Sequence, residues 1–412
     1  MISITRKWLP VLAIVAFAAC ETETTGVDTP EPPPPPPPPG EIAILGVGSV
    51  LERFTAEVAV RGDVAYTSTW GNRNNNRGNA IKIWNVAGNT PTLLDSLIIP
   101  NALTTGDVQI SDDGALLVVA TELSPGRIVI YDRSTPAKPT LISSFTSDDT
   151  DPGVHTVKLG RVNGRHYAFL SVDPSFSPAK LVIVDITDPA APEQVTSLTI
   201  GNPYVHDVFV RDGWLFTALW NQGMRIYDIG GAGRGGSVAN PVEVGTVVTV
   251  GGQVHNMWWF HDPETGNKDY VIVGQETPTG GIGISSLGDI HVVDISDPAN
   301  PVEVAYYSVT NAQGQPIAGT HNFSMDEENG ILYAAYYEGG VRAIDVRGDL
   351  GTCEANQKAA DGRCNLTLMG REVAVALETG GHYVWGVQFQ DGFVYASDML
   401  NGLYKLDARS VQ

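Results

Sequence analysis

Seven short β-patterned segments, each ending in Asp or Asn, recur along this chain, and no other feature restricts the fold as strongly. They are IKIWN ending at Asn85, IVIYD at Asp132, LVIVD at Asp185, MRIYD at Asp228, IHVVD at Asp294, VRAID at Asp345 and LYKLD at Asp407. Successive copies lie 47, 53, 43, 66, 51 and 62 residues apart. Strand-rich repeats of roughly 40 to 50 residues indicate propeller blades, none of which can bury both faces alone. The clearest whole repeat surrounds Asp228: Val205 to Val210, a turn at Arg211-Asp212-Gly213, then Trp214 to Trp220, Met224 to Ile229 and Val242 to Val250. That is four strands with their turns. Asp113-Gly114, Asn163-Gly164, Asn329-Gly330 and Asp391-Gly392 repeat the first turn, because these residues accept the positive φ of tight hairpins.

The expected fold is all-β, a seven-bladed β-propeller of four-stranded blades over residues 41–412. The last repeat lacks a fourth strand after Asp407, while Ile42 to Gly48 reads like the outer strand of the other blades. That N-terminal strand is expected to pair with Leu403 to Asp407, closing the ring and removing an open edge.

The best copy, Leu181-Val182-Ile183-Val184-Asp185, is followed by Ile-Thr-Asp-Pro-Ala-Ala-Pro, and several others carry a similar Asp-Pro turn. In this the chain resembles the LVIVD repeat family, whose members are secreted or surface β-propellers. The resemblance covers about residues 42–410 and is strongest in blades 3, 4 and 5. It implies a fold and not a reaction.

The first residues read as a targeting segment: Arg6 and Lys7, an apolar run from Trp8 to Phe17, then Ala18-Ala19-Cys20. The ending resembles the lipobox of bacterial lipoproteins, although Phe17 stands where Leu is usual; it implies that residues 1–19 are a signal peptide and that Cys20 is lipidated. Two or more acyl chains anchor stably to a membrane. Glu21 in the next position favours the outer membrane of a bacterial cell envelope over inner-membrane retention. Residues 20–40 are expected to be a disordered Pro-rich tether, since they hold almost no apolar side chain, and Pro32 to Pro39 make a stiff spacer. At ~3.1 Å per residue the run reaches on the order of 25 Å.

Composition excludes some functions. With 25 Lys and Arg against 46 Asp and Glu, a net charge of −21, the chain lacks the clustered cations that nucleic acid requires. There is no Gly-x-Ser-x-Gly, P-loop or His-Glu-x-x-His, and Gly230 to Gly236 (GGAGRGG) does not follow the dinucleotide fingerprint. Cys353 and Cys364 remain after Cys20 and are expected to form a disulfide inside a blade 6 insertion. Acidic loops at Ser147 to Asp151 and Asp262 to Asp269 offer oxygen ligands for Ca²⁺ but lack EF-hand spacing.

The sharpest functional signal is positional. Four successive blades carry histidine at the start of their first strand: His155, His206, His255 and His321, with Trp385, Gly106 and Ala56 at the same place in blades 7, 2 and 1. Next along the strand stand Glu57, Asp107, Asp207, Asn256 and Asn322. First strands line a propeller's central channel, so these side chains should ring one mouth. Imidazoles with carboxylates there suit Zn, Cu or Fe; alternatively each His bonds across a blade junction, or contacts a ligand directly. Loops between second and third strands should form the rim, with Trp70 to Arg77, Asp173 to Pro178, and Gln275-Glu276 followed by a Gly-rich excursion to Gly288. Trp70, Trp220 and Tyr337 precede such loops and present aromatic faces to a sugar or peptide. The expected role is recognition or scaffolding of an envelope protein, peptide or glycan. The alternative is a metal-dependent hydrolase or oxidoreductase on the same arc, with Asp207 or Glu57 as ligand or base.

Overall fold

The computed structural model describes residues 38–172, 179–277, 287–310, 318–377 and 381–411. The signal peptide, Cys20, the Pro-rich segment up to residue 37, the Asp173–Pro178 loop and most of the blade 5 excursion lie outside them.

Among the described residues, a two-stranded ribbon joins Asn72–Arg73 to Asn76–Arg77, and seven sheets of four or five strands form, one per repeat. Their innermost strands, A, are Phe54–Arg61, Val108–Ile110, Thr156–Val162, Asp207–Arg211, Val254–Trp259, Phe323–Asp326 and Val384–Gln390. Every sequence motif is the third strand, C: Ala80–Asn85, Arg127–Asp132, Ala179–Asp185, Met224–Asp228, Ile290–Asp294, Val341–Asp345 and Gly402–Asp407. Strands B and C are covered on both faces by neighbouring blades and therefore read as unbroken apolar runs, as in Leu116–Thr121 and Leu181–Val184.

The Asp or Asn that ends each motif terminates the strand. Its Oδ1 accepts the backbone N–H two residues on: Ala87 to Asn85 at 3.0 Å, Ser134 to Asp132 at 2.8 Å, Thr187 to Asp185 at 2.9 Å, Gly230 to Asp228 at 2.8 Å, Ser296 to Asp294 at 2.8 Å, Arg347 to Asp345 at 2.9 Å and Arg409 to Asp407 at 3.2 Å. This side-chain turn competes with the next ladder bond and redirects the chain toward strand D. Only a short side chain with an acceptor oxygen does this, so the motif tolerates Asn once and otherwise keeps Asp.

Seven apolar clusters lie between adjacent blades, the last joining Tyr395 and Leu403 of blade 7 to Val58, Trp84 and Val86 of blade 1. The ring closes as the sequence predicts. Ala43–Ser49 pairs antiparallel with strand C of blade 7, from Ala43 opposite Asp407 to Ser49 opposite Gly402, and supplies its missing D strand. Just before it, Gly40–Glu41 adds a parallel strand to blade 6 beside Ala374–Val375. Three of the five Asp-Gly and Asn-Gly turns take positive φ at both residues, those at Asn163, Asp212 and Asp391, whereas at Asp113-Gly114 and Asn329-Gly330 only the glycine does.

Cys353 and Cys364 are bonded. Their insertion interrupts blade 6 but serves blade 5, where Cys364–Asn365 pairs in parallel with Ala305–Tyr306 as a fifth strand. The GGAGRGG segment wraps Asp228, whose carboxylate accepts N–H groups from Gly230, Gly231, Ala232, Arg234 and Gly236.

Candidate functional site

Strand A of all seven blades faces one central cavity of about 210 Å³. Lining it are every candidate named from the repeat register: Glu57, Asp107, His155, His206, Asp207, His255, Asn256, His321, Asn322 and Trp385. At its mouth the rings of five successive blades follow one another, with centroid separations of 4.4 Å (His155 to His206), 4.3 Å (His206 to His255), 4.3 Å (His255 to His321) and 4.1 Å (His321 to Trp385). Trp70 bridges the ends of the arc, 5.6 Å from Trp385 and 6.3 Å from His155.

The histidines divide by their bonding. His155 Nδ1 lies 2.9 Å from Glu122 Oε1 of blade 2 and its Nε2 lies 3.1 Å from His206 Nε2. His321 Nδ1 donates to the Trp385 carbonyl at 2.7 Å. Those two make the blade-junction bonds that a structural role requires. His206 Nδ1 and both ring nitrogens of His255 are buried without a hydrogen-bond partner among the described residues. His255 is 2% exposed. A desolvated polar atom left unpaired costs about 1–3 kcal/mol, so these positions are held against a gradient that a ligand would remove. Burial, followed by the neighbouring imidazoles, holds His206, His255 and His321 well below the usual histidine range, so their rings are neutral and their lone pairs available near pH 7.

One residue further along each strand stands the polar tier. Asn322 Nδ2 donates to Glu57 Oε1 at 2.6 Å, and Asn256 Nδ2 to Asn322 Oδ1 at 3.2 Å. Asp107 accepts the Val108 and Val157 N–H groups at 2.7 and 3.0 Å, tying blade 2 to blade 3. Burial raises the carboxyl groups of Glu57 and Asp107, and Asp107 pushes Glu57 up further. Asp207 is pushed up to about 7 by burial, with Lys158 opposing the shift. Because this folded value lies above the ~3.9 of an unfolded Asp, neutral Asp207 favours the fold at low pH and that contribution is lost as pH rises through about 7. D207N, uncharged throughout, should match the wild type near pH 4 and exceed it above pH 8 by on the order of 2–4 kcal/mol. Denaturant titrations of both proteins across that range check this; identical pH profiles would mean Asp207 is ionised in the fold.

A second ring was missed as a ring. In six of the seven blades, the seventh residue counted from the B-strand position opposite the motif end (Val64, Leu116, Trp214, Tyr270, Ile331 and Phe393) is Trp70, Glu122, Trp220, Glu276, Tyr337 and Met399; the blade 3 position lies outside the described residues. The ring's aromatic members Trp70, Trp220 and Tyr337 stand out in the sequence, whereas the acidic members Glu122 and Glu276 share their position without an aromatic signal. The same register would have found both. Trp220 stacks on His206 at 5.2 Å, and Tyr337 lies 5.3 Å from His321. Both aromatics sit at positive φ, 53° and 46°, a conformation that costs a bulky residue of order 1–3 kcal/mol. Paired backbone bonds to Val254 and Val384 of the next blade offset it and aim the rings at the arc. Gly106 takes the ring position in blade 2 because a Cβ there would lie 2.3 Å from Glu122 Oε1 and 2.7 Å from the His155 carbonyl. Trp258 also lines the cavity and donates from Nε1 to Glu327 at 2.8 Å.

The acidic loops are internally engaged: Asp149 binds Lys180 and Gln194, and Asp262 accepts the N–H groups of Glu264 and Thr265.

The LVIVD repeat model matches residues 175–199 and 286–309, which carry strands C and D of blades 3 and 5. Blades 3 and 5 bear the LVIVD repeat. No curated protein matches the sequence. Among solved structures, the chain is similar to Sqt1 of Saccharomyces cerevisiae (TM-score 0.55, 11% identity, 90% of this chain and 87% of that one) and to the RRP9 WD40 repeats (0.59, 11%, 90% and 98%). U3-55K is comparable (0.58, 12%, 90% and 100%). At such identities these likenesses show the propeller fold alone.

Proposed function

We propose that this LVIVD-repeat propeller is a recognition module of the bacterial cell envelope, held by a lipid on Cys20 and binding its ligand at the channel mouth. The observation that carries the reading is the arc of Trp70, Trp385, His321, His255 and His206 around a polar-lined cavity of about 210 Å³. Indole and imidazole faces beside carboxylates and amides suit a compact ligand with one apolar face and several hydrogen-bonding groups, such as a peptide end or a sugar. Rigid scaffolds that present loops are the usual platforms for such recognition. The Arg6-Lys7, apolar and Ala18-Ala19-Cys20 sequence supports the anchor, and Pro32 to Pro39 supports a spacer between lipid and propeller.

Titrating the full-length protein in detergent with envelope peptides and glycans, while following tryptophan emission, tests this. A saturable change that weakens about tenfold or more in W385A, in line with loss of one aromatic anchor, is expected. No saturable response from either ligand class, or a W385A response equal to wild type, would overturn it.

A further inference from the structure

We propose that the channel mouth holds one divalent transition-metal ion of the zinc type, ligated by His206, His255 and Glu276. The inference deepens the recognition reading by naming an occupant of the same site, and it rests on that reading only for the site's accessibility. Donor atoms of these three residues all lie within 4.8 Å of one another, and His255 Nε2 lies 3.6 Å from Glu276 Oε2. In a tetrahedral site with metal–ligand bonds of about 2.1 Å, neighbouring ligand atoms sit about 3.4 Å apart. The observed spacing therefore needs only small side-chain adjustments to close on an ion.

Chemistry selects the ion class. Two imidazoles and one carboxylate form a borderline donor set that suits zinc and leaves a position open toward the cavity, whereas hard Ca²⁺ or Mg²⁺ would demand more oxygens. The imidazoles come ready to ligate, since His206 Nδ1 and both nitrogens of His255 are buried and unpartnered among the described residues. Glu276 is held in place from behind, its Oε1 accepting the Tyr337 hydroxyl while Oε2 faces His255. Such an outer partner is the usual device for orienting a ligating carboxylate.

The arc is thereby divided. His321 stands outside the donor cluster, despite matching His206 and His255 in repeat register. Glu276 enters it although the repeat puts aromatic residues at its position in blades 1, 4 and 6.

The test uses the full-length protein purified without an affinity metal, stripped with a chelator, and titrated with Zn²⁺ and separately with Co²⁺. Expected results are uptake of one Zn²⁺ per chain by mass spectrometry and a visible Co²⁺ absorption band of low-symmetry, four-coordinate type. H255A should abolish both, and E276Q and Y337F should weaken Zn²⁺ binding about 10- to 100-fold. H321A should retain one equivalent. Because H255A could disturb the fold, its thermal transition is compared with that of chelated wild type; E276Q, nearly isosteric, is the second measure. Absent uptake by folded wild type, or uptake unchanged in both H255A and E276Q, overturns the proposal. If uptake fails while chelated protein still shows a saturable tryptophan response to peptide or glycan, the metal falls and recognition stands; the opposite pair of results reverses that outcome.

Discussion

A variant lacking residues 42–49 should lose cooperative folding, because those residues are the last strand of a closed ring. In the intact protein Ala43–Ser49 covers the C strand of blade 7, while Ile42 and Val50, both buried, anchor its two ends. Removing it exposes a full edge of unpaired N–H and C=O groups, which invites pairing with other chains. Burial of Ile42 contributes roughly 1.5–3 kcal/mol and half-buried Val47 less, Val50 loses its neighbour, and the lost ladder adds to that. The sum is comparable with the ~5–15 kcal/mol net stability of a typical domain. Contacts across the blade 7 to blade 1 junction depend on closure too: Gln388 exchanges two bonds with the Val60 backbone at 2.6 and 3.0 Å, and Lys405 donates to the Val86 carbonyl at 2.7 Å. Gly48 lies so close to Trp84 that a Cβ would come within 2.5 Å of the indole, so the strand seats directly on blade 1. Circular dichroism melts and size-exclusion profiles check the outcome. A monomeric variant with a sharp, unshifted transition would show that the seven-blade ring holds without its closing strand.

D228A should cost about 3–5 kcal/mol, since five backbone N–H groups lose a charged acceptor. They lie at 2.8, 3.1, 3.0, 2.6 and 3.2 Å from one carboxylate that is 1% exposed. Burial alone would raise the carboxyl, but the N–H groups of Gly230, Ala232, Arg234 and Gly236 outweigh it and hold the group down at about 2. The folded value lies below the ~3.9 of an unfolded Asp. The stabilisation is therefore complete above pH 4 and lost as pH falls through about 2, so the gap between wild type and D228A should shrink below pH 4. D228N keeps the shape but turns one acceptor into a donor facing N–H groups, and should fall near D228A. Urea titrations at pH 7 and pH 3 decide the matter. A D228A loss below 1 kcal/mol at pH 7 would mean that water replaces the carboxylate.

Several features were legible before any coordinates. The seven strand C motifs could be read because each ends in an Asp or Asn that must cap its own turn, a local requirement visible within a few residues. Ring closure was legible because the count of strands left one blade short. The ring positions of His155, His206, His255 and His321 followed from register alone, since a repeated backbone puts equivalent residues at equivalent places. The bond between Cys353 and Cys364 was legible from pairing the two remaining thiols, but the service of that insertion to blade 5 was not, because its edge partner Ala305–Tyr306 lies far upstream.

Sequence by itself thus determined the blade count, the closing strand and which residues face the channel, because these depend on periodicity and local turn chemistry. Tertiary structure alone decided what each histidine does. His155 and His321 found partners in Glu122 and the Trp385 carbonyl, while His206 and His255 were left facing each other and Glu276. Equivalent positions in a repeat share a backbone but not neighbours, and the energy of a buried imidazole is set by its neighbours.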